Sequence, residues 1–548
     1  MSESSHNPTS VHPHPSLGLG RPGVLVLLAA GLGLAFETLF YGRTPGLSVF
    51  VWCALGVVGL LLGAFAERVH PSLTALALLV TILVLGWMTY VRLEPLTVLL
   101  NIGLILGLFA MAVRFLRHGQ LLDSGWIDLG LAAIWVPIES WLRPWPVVGR
   151  LWNRTVHERG RRKALFSILR GLALALPLLV VFGGLLGAAD LVFGDYIEAA
   201  LRWLDLERLA EYAGRTFVIV VAGVFFLGAL IVALRPQARL RLMGKEAPLV
   251  SPFLGFTESV VILVALNLLF AAFVVVQFTY LFGGEANIDA AGYTYSEYAR
   301  RGFGELVAVA ALCLGLIYAL ASVTQRPTPG RRLTFSWLSA LLVILVGVIL
   351  VSAYQRLGLY ENAYGFSRLR TYTHVALIWL AVTFSAFLVL LWTGRLRAFA
   401  PLMLGVTIGF CLTLDFVNVD AFIVARNTQR YAETEDIDVT YLLQLSDDAV
   451  PGLAGLARSS PEDVRAQLLP QLACRRSALR RLITRVAWPS RHASHERALA
   501  ELEAMTDLLE PYRVLLEYHG VSDARWPIYL VKGPDRQEYC SMAWGLDR

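Results

Sequence analysis

Between residues 22 and 418 the chain runs through one apolar segment after another, each near 20 residues long, and after 418 no such segment recurs. A helix of about 20 apolar residues, rising 1.5 Å per residue, matches the ~30 Å hydrocarbon thickness of a bilayer. Candidate spans are 22–40, 46–66, 72–91, 94–114, 168–187, 214–234, 256–279, 303–323, 333–353, 372–392 and 398–418, eleven in all. The composition agrees: 56% of the residues are hydrophobic and 16% charged, where a soluble domain carries about 25% charged. The expected fold is an all-α polytopic transmembrane helical bundle of ten to twelve spans, followed by a small, mostly helical soluble C-terminal domain.

A formal charge of +6 would suit a nucleic-acid partner, but the arginines gather in short loops beside apolar runs, as the positive-inside rule requires. Nucleic acid is therefore not expected as a partner. One further segment, 122–142, carries Asp123, Asp128, Glu139 and several tryptophans and reads as an interfacial or re-entrant helix. Leaving it uncrossed keeps two basic segments on one side: Arg114, Arg117 and His118 before it, and RGRRK at 159–163 after it. The loops at 235–245 and 326–332, and Arg395 with Arg397, then share that side with the N-terminus, while the acidic loop 188–213 lies opposite. This predicts a cytoplasmic N-terminus and an exported C-terminal domain in a bacterial inner membrane. Loop 354–370 fits poorly, because Arg356, Arg368 and Arg370 would stand outside against one acid, Glu361.

Residues 1–21 are polar and rich in Pro and His, and read as a disordered tail ahead of the transmembrane domain, 22–418. From 419 to 548 charges of both signs nearly balance, and ALAELEAMTDLLEPYRVLLEY at 498–518 has helical periodicity. LSDDAVPGLAGL at 445–456 reads as a helix start capped by Asp447 or Asp448. The last residues alternate weakly, suiting a strand pair or an ordered coil. Five cysteines form no CxxC, so no zinc or iron–sulfur site is expected; Cys474 and Cys540 can pair if the tail reaches an oxidising compartment.

Small-residue spacings at 59–63, 103–107 and 183–187 allow close helix packing and say nothing of function. Ionisable residues in or beside spans say more. Glu37, Glu258, Glu305 and Asp415 must face the bundle interior, pair with a cation such as Arg170 or His374, or cap helix ends. A proton or cation route and a set of structural caps both remain open. Two segments concentrate polar groups. YENAYGFSRLRTYTH, 360–374, places Tyr360, Tyr364 and Tyr372 as headgroup anchors, Gly365 as a turn, and Glu361, Arg368 and Arg370 as an anion site or an anchor. LDFVNVDAFIVARNTQRY, 414–431, offers Asp415, Asn418, Asp420, Arg426 and Asn427 as a polar junction, with too few evident ligands for a cation. No catalytic residue, cofactor or metal ligand is assigned, since GxxxxGK[ST], HExxH and GxSxG are all absent.

These two segments, with RGLALALPLLVVFGGLLGAADLVF at 170–193, GFTESVVILVALNLLFAAFVVVQFTYLFGG at 255–284 and YSEYARRGFGELVAVA at 295–310, resemble a bacterial membrane family described as a domain of unknown function, number 4173. The likeness runs from about residue 25 to beyond 450 and implies a multipass inner-membrane protein, with no substrate or catalytic residue to carry over. The positions that share it are Glu258, Tyr298, Arg300, Arg301, Gly302, Glu305, Glu361, Tyr364, Gly365, Arg368, Arg370, Asn418, Asp420, Arg426 and Asn427. The expected role is non-enzymatic: sensing, binding or scaffolding, with membrane lipids and a protein bound by the C-terminal domain as partners. The alternatives are a secondary transporter using embedded carboxylates, or an enzyme acting on a lipid-linked substrate near Arg368 and Arg370.

Overall fold

The computed structural model describes residues 20–117, 119–149, 206–235, 252–281, 303–519, 526–534 and 537–540, with scattered positions between 171 and 196. Ten helices among them are long and apolar enough to cross a membrane, so the polytopic helical fold stands. They match ten of the eleven expected spans; the other, 168–187, falls largely outside the described residues.

The first group comprises α1 (Pro22–Phe40), α2 (Leu47–Ala66), α3 (Leu73–Val91), α4 (Pro95–Phe115), α5 (Trp126–Leu142) and α6 (Leu206–Leu234). Two of their starts carry side-chain caps: the Ser72 hydroxyl accepts from the Ala75 amide, and Glu94 caps α4 ahead of Pro95. Helices α1 and α6 touch through glycine, because a Cβ on Gly33 would stand 2.6 Å from the Ile219 carbonyl oxygen. The second group is α7 (Phe256–Leu281), α8 (Phe303–Val323), α9 (Pro329–Tyr364) and α10 (Arg368–Trp392), packed around Ile317, Phe335, Val346 and Phe387. Helix α11 (Phe399–Val417) belongs to both: Ala400 and Cys411 join the first core and Phe399 the second.

Two expectations about segment length resolve differently. Helix α5 packs beside α6 with Ser140 against Gly228, which lies only about 9 Å before the Leu234 end of α6. A helix of 17 residues is about 25 Å long, shorter than a ~30 Å core, and α5 is not among the ten helices long and apolar enough to cross. Helix α9, by contrast, overruns its expected end. Its 36 residues make about 54 Å, and it stays helical through Tyr364, so most of the expected loop 354–370 is helix and only residues 365–367 turn. The apolar pattern ends near 353, but no proline interrupts the polar continuation, and helical propensity carries on.

Contacts sort the helix ends onto two faces. On the near face lie Gly20 and Arg21, whose amides donate to Glu67, the 3-10 turn Gln120–Asp123 beside the 3-10 turn Leu396–Ala398, and Arg117, which donates to the Leu234 carbonyl. The start of α7 is there too, since Leu254 bridges Thr324 after α8. On the far face, the α1–α2, α3–α4 and α9–α10 turns meet the residues that follow Asn418.

Those residues build a further core around Leu445, Val450, Leu453, Leu468, Leu472 and Leu502. It comprises α12 (Val419–Thr434), α13 (Val439–Leu443), α14 (Val450–Ser459), α15 (Glu462–Arg485), α16 (Ala493–Glu503) and α17 (Thr506–Leu509). An antiparallel sheet follows, β1 (Arg513–His519), β2 (Trp526–Lys532) and β3 (Gln537–Tyr539), with Arg513 opposite Lys532 and Lys532 opposite Gln537. The helix expected over 498–518 is thus split: helical structure stops before Pro511, and RVLLEYH extends as β1. A Cys474–Cys540 disulfide ties α15 to the end of the sheet.

Candidate functional site

The densest polar chemistry lies where the C-terminal unit meets the far face. Asn418, at φ 54°, adopts the left-handed conformation that asparagine tolerates and turns the chain from α11 into α12. That kink buries Asp420 completely in the first turn of α12. Arg368, opening α10, donates to it through Nε at 2.8 Å and Nη2 at 2.6 Å, and the Ser446 amide donates to it at 2.7 Å. Arg368 Nε also stands 3.9 Å from Glu94 Oε1. Glu94 in turn accepts from the Leu96 amide at 3.0 Å, the Thr97 amide at 2.7 Å and the Tyr372 hydroxyl. One connected set of charge-assisted bonds therefore joins α4, α10 and α12.

Further contacts widen this junction on two flanks. Asp415, fully buried near the end of α11, accepts from Asn101 Nδ2 at 2.9 and 3.1 Å, while Arg92 Nε donates to the Asp415 carbonyl at 2.7 Å. Asp448 accepts from the Leu93 amide at 2.7 Å, and burial pushes its carboxyl above the usual range. On the other flank Ser490 donates to the Thr44 carbonyl at 2.8 Å and the Leu47 amide donates to the Arg491 carbonyl at 2.9 Å. His492 Nε2 lies 2.8 Å from the Pro45 carbonyl, and burial, with His495 beside it, pushes its imidazole down to about 4. Behind this flank Arg475 and His495 bracket Asp447 at 2.6 and 2.5 Å. Burial alone would raise the Asp447 carboxyl, but these two partners hold it below the usual range.

The stretch 360–374 is gripped by α12. Asn427 accepts from the Phe366 amide at 2.8 Å and donates to its carbonyl at 2.9 Å. Gly365, at φ 75°, fits beneath that amide, since a Cβ there would come 2.5 Å from Asn427 Oδ1. Arg430 donates to the Asn362 and Ala363 carbonyls, Arg370 lies 4.0 Å from the Tyr360 ring centroid, and His374 Nδ1 is 3.1 Å from Glu361 Oε1.

Of the expected site residues, the structure brings Arg368, Arg370, Asp415, Asn418, Asp420, Asn427, Glu361 and His374 to the far face of the bundle. It leaves three apart. Glu258 is an exposed cap accepting from the Gly255 amide at the near face; Glu305 is exposed in the first turn of α8 at the far face; Arg426 is exposed beside Phe422 and Gln429. Glu258 and Glu305 thus sit on opposite faces, against the reading of both as interior carboxylates. Glu37 does find a cation, with Arg215 Nη1 at 3.3 Å, whereas Arg170 lies outside the described residues. Tyr372, expected as a headgroup anchor, is half-buried near the start of α10 and donates to Glu94. Asp447 and Asp448 do not cap their own helix, whose N-cap, Ala449, has no side-chain acceptor; they reach to Arg475, His495 and Leu93 instead. Sequence reasoning missed Arg92, Glu94, Asn101 and His492. Only Glu94 carried a local signal, as a carboxylate directly before a proline at a span's edge. Among the described residues no cluster of three or more His, Cys, Asp or Glu could hold a metal ion.

The model of a family described as a domain of unknown function (DUF4153) matches residues 74–456, and the chain belongs to that family. The number 4173 is thereby corrected, while the assignment to a family of unknown function stands. No curated protein matches, and no solved structure does.

Proposed function

We propose that this membrane protein is a non-catalytic scaffold whose C-terminal unit, held rigidly on the exported side of a bacterial inner membrane, presents a binding platform to a protein partner. The carrying observation is that the unit is clamped across both helix groups. It meets α3 and α4 through Asp448 and Arg497, and α9 and α10 through Asp420 and Asn427. A tether would need none of these bonds, whereas a platform with a set orientation needs them all.

The orientation rests on charge and redox chemistry. Arg21, Arg68, Arg117, Arg326, Arg331, Arg332, Arg395 and Arg397 belong to near-face ends, which favours a cytoplasmic near face. The Cys474–Cys540 disulfide favours an oxidising compartment for the opposite side. Transport through Glu258 and Glu305 loses support from their exposure at opposite ends. Reporter fusions after residues 117 and 440, combined with deletion of 431–548, test the reading. Cytoplasmic signal at 117, exported signal at 440, and loss of the host phenotype with unchanged membrane insertion are expected. A cytoplasmic signal at 440, or a deletion that leaves every phenotype intact, would overturn it.

A further inference from the structure

Where the C-terminal unit seats on α2, it holds out a side chain that the junction does not use. The 3-10 turn Trp488–Ser490, between α15 and α16, stands directly on the start of α2. Besides the bonds from Ser490 to Thr44 and from Leu47 to Arg491, a Cβ on Gly46 would come 2.7 Å from the Arg491 carbonyl oxygen. Pro489 and Ser490 are buried in this seat, yet Trp488 is left 52% exposed. The helices beneath mark the membrane level. Trp87 is exposed on α3, with the Phe50 ring centroid of α2 at 5.2 Å and that of Tyr90 at 5.3 Å. Aromatic belts of this kind sit at the membrane–water interface. This one lies about 5 Å below the far-face ends of α2 and α3, and a headgroup layer is about 5–8 Å deep, so the turn stands at headgroup height. Arg485 and Arg491, three residues to either side of Trp488, are both exposed, and among the described residues neither guanidinium has a hydrogen bond or ion pair. Arg43 is not available in this way, since its Nη1 donates to the Thr38 carbonyl. No acid occurs in 41–47 or in 484–495.

We infer that this turn is a lipid anchor: the Trp488 indole enters the headgroup layer of the far-face leaflet, and Arg485 and Arg491 bind the phosphates of anionic phospholipids there. Each part suits that layer. An exposed indole gains apolar contact at the base of the headgroups while its Nε1–H finds an ester or phosphate oxygen, and a guanidinium fork matches phosphate oxygens. The attraction of a basic side chain to an anionic surface fades within a Debye length, about 8 Å at physiological salt, and the seat on α2 holds the turn inside that distance. The anchor follows from the helical bundle and this seat, whichever compartment the far face meets. It makes the seating of the C-terminal unit sensitive to the lipid composition of the leaflet beneath it.

The test uses the full chain in nanodiscs of phosphatidylglycerol or phosphatidylcholine at low salt. The difference between the parent and Trp488→Phe isolates the Trp488 fluorescence from the 14 tryptophans of the chain. Two quenchers read its surroundings: acrylamide from the water, and a lipid carrying a nitroxide on its headgroup from the bilayer. The expected result is quenching by the nitroxide lipid, with a water-open fraction roughly 10-fold lower in phosphatidylglycerol than in phosphatidylcholine. Arg485→Gln/Arg491→Gln should abolish that preference, and Arg485→Lys/Arg491→Lys should retain most of it. A Trp488 signal open to acrylamide and untouched by the nitroxide lipid would overturn the anchor. Shielding from acrylamide without nitroxide quenching would overturn it as well, by placing protein rather than lipid over the turn. Equal shielding in the two lipids, or a preference that survives the double Gln variant, would overturn the phosphate contact. All three positions are exposed, so unchanged gel-filtration profiles and helical circular dichroism are expected and show that each variant is folded.

Discussion

Asp420→Asn removes one charge from the centre of the junction and little else. The amide keeps an oxygen for the Ser446 amide but cannot balance the Arg368 guanidinium, which donates two bonds to the carboxylate at 2.8 and 2.6 Å. Removing one partner of a buried ion pair costs about 3–5 kcal/mol. Two features here push toward the lower end: the Arg368 side chain keeps 27% of its surface exposed, and Glu94 stands 3.9 Å away as a second anion. The expected cost is therefore about 3 kcal/mol, which raises the population with α12 lifted from the bundle roughly 100-fold. Hydrogen exchange followed by mass spectrometry reads this directly, as faster exchange across residues 419–434 and at Ser446 with α1 and α2 unchanged. Arg368→Gln/Asp420→Asn should recover about 2 kcal/mol relative to the sum of the single variants, because neither buried charge is then left alone. Exchange in Asp420→Asn within threefold of the parent, or strictly additive costs, would refute the idea that this pair holds the junction closed.

Acidification should loosen the opposite flank. With the His492 imidazole held at about 4 when docked and near 6.5 when free, the docked state binds fewer protons between those values, so docking is strongest above pH 6.5 and weakens as pH falls toward 4. The limit is about 3 kcal/mol; Asp447 adds in the same sense at lower pH and Asp448 opposes, and exchange across residues 493–503 at pH 7.5 and 5 should show the change in the parent and not in His492→Gln. Cys474→Ser/Cys540→Ser should lower the stability of the C-terminal unit by about 4 kcal/mol, as opening a loop between cysteines 66 residues apart implies, and protease sensitivity of the far-face unit measures it. Gly33→Ala should cost about 1–3 kcal/mol in thermal unfolding, because its Cβ would meet the Ile219 carbonyl at 2.6 Å and the Gly223 amide at 2.9 Å, whereas Gly31→Ala, with nothing within 4 Å, should be neutral or slightly stabilising.

The spans were legible because a bilayer is a ruler: a segment either has enough apolar residues to cross or it does not. The same ruler misleads where a helix outruns the membrane, as α9 does from Ala353 to Tyr364. The junction was half legible. Asp415, Asp420 and Asn427 stood out as polar residues at the end of an apolar run, but their partners lie far off in the chain: Asn101 for Asp415, Arg368 for Asp420, Phe366 for Asn427. No local pattern encodes such pairings: Asn101 had nothing to distinguish it from the packing residues around it, and Tyr372 read as a headgroup anchor with no sign of its bond to Glu94. Glu258 and Glu305 were open to an interior and a helix-end reading, and the structure has both exposed in the first turns of their helices. A carboxylate in the first turn of an apolar helix reads as buried when the boundary is uncertain by a few residues, yet it is at home there as an exposed cap.

The arginines that spoiled the charge pattern of 354–370 explain why the junction is built from charge. Arg356 donates to Gln277 inside the bundle, Arg368 is neutralised by Asp420, and Arg370 is folded over Tyr360 with its Nη1 on the Gly365 carbonyl. As folded, none of the three is a free far-face cation of the kind the positive-inside rule counts, and the basic excess of loop ends falls on the near face. Partner geometry also matters to docking. An apolar contact between the C-terminal unit and the bundle could slide by a helical turn at little cost. By contrast, a one-turn shift of α12 would part Asp420 from Arg368 and Asn427 from Phe366 together, leaving four groups of the junction without their partners. The junction therefore selects one register of the unit on the membrane helices, which is the property a surface platform requires and a flexible tether lacks.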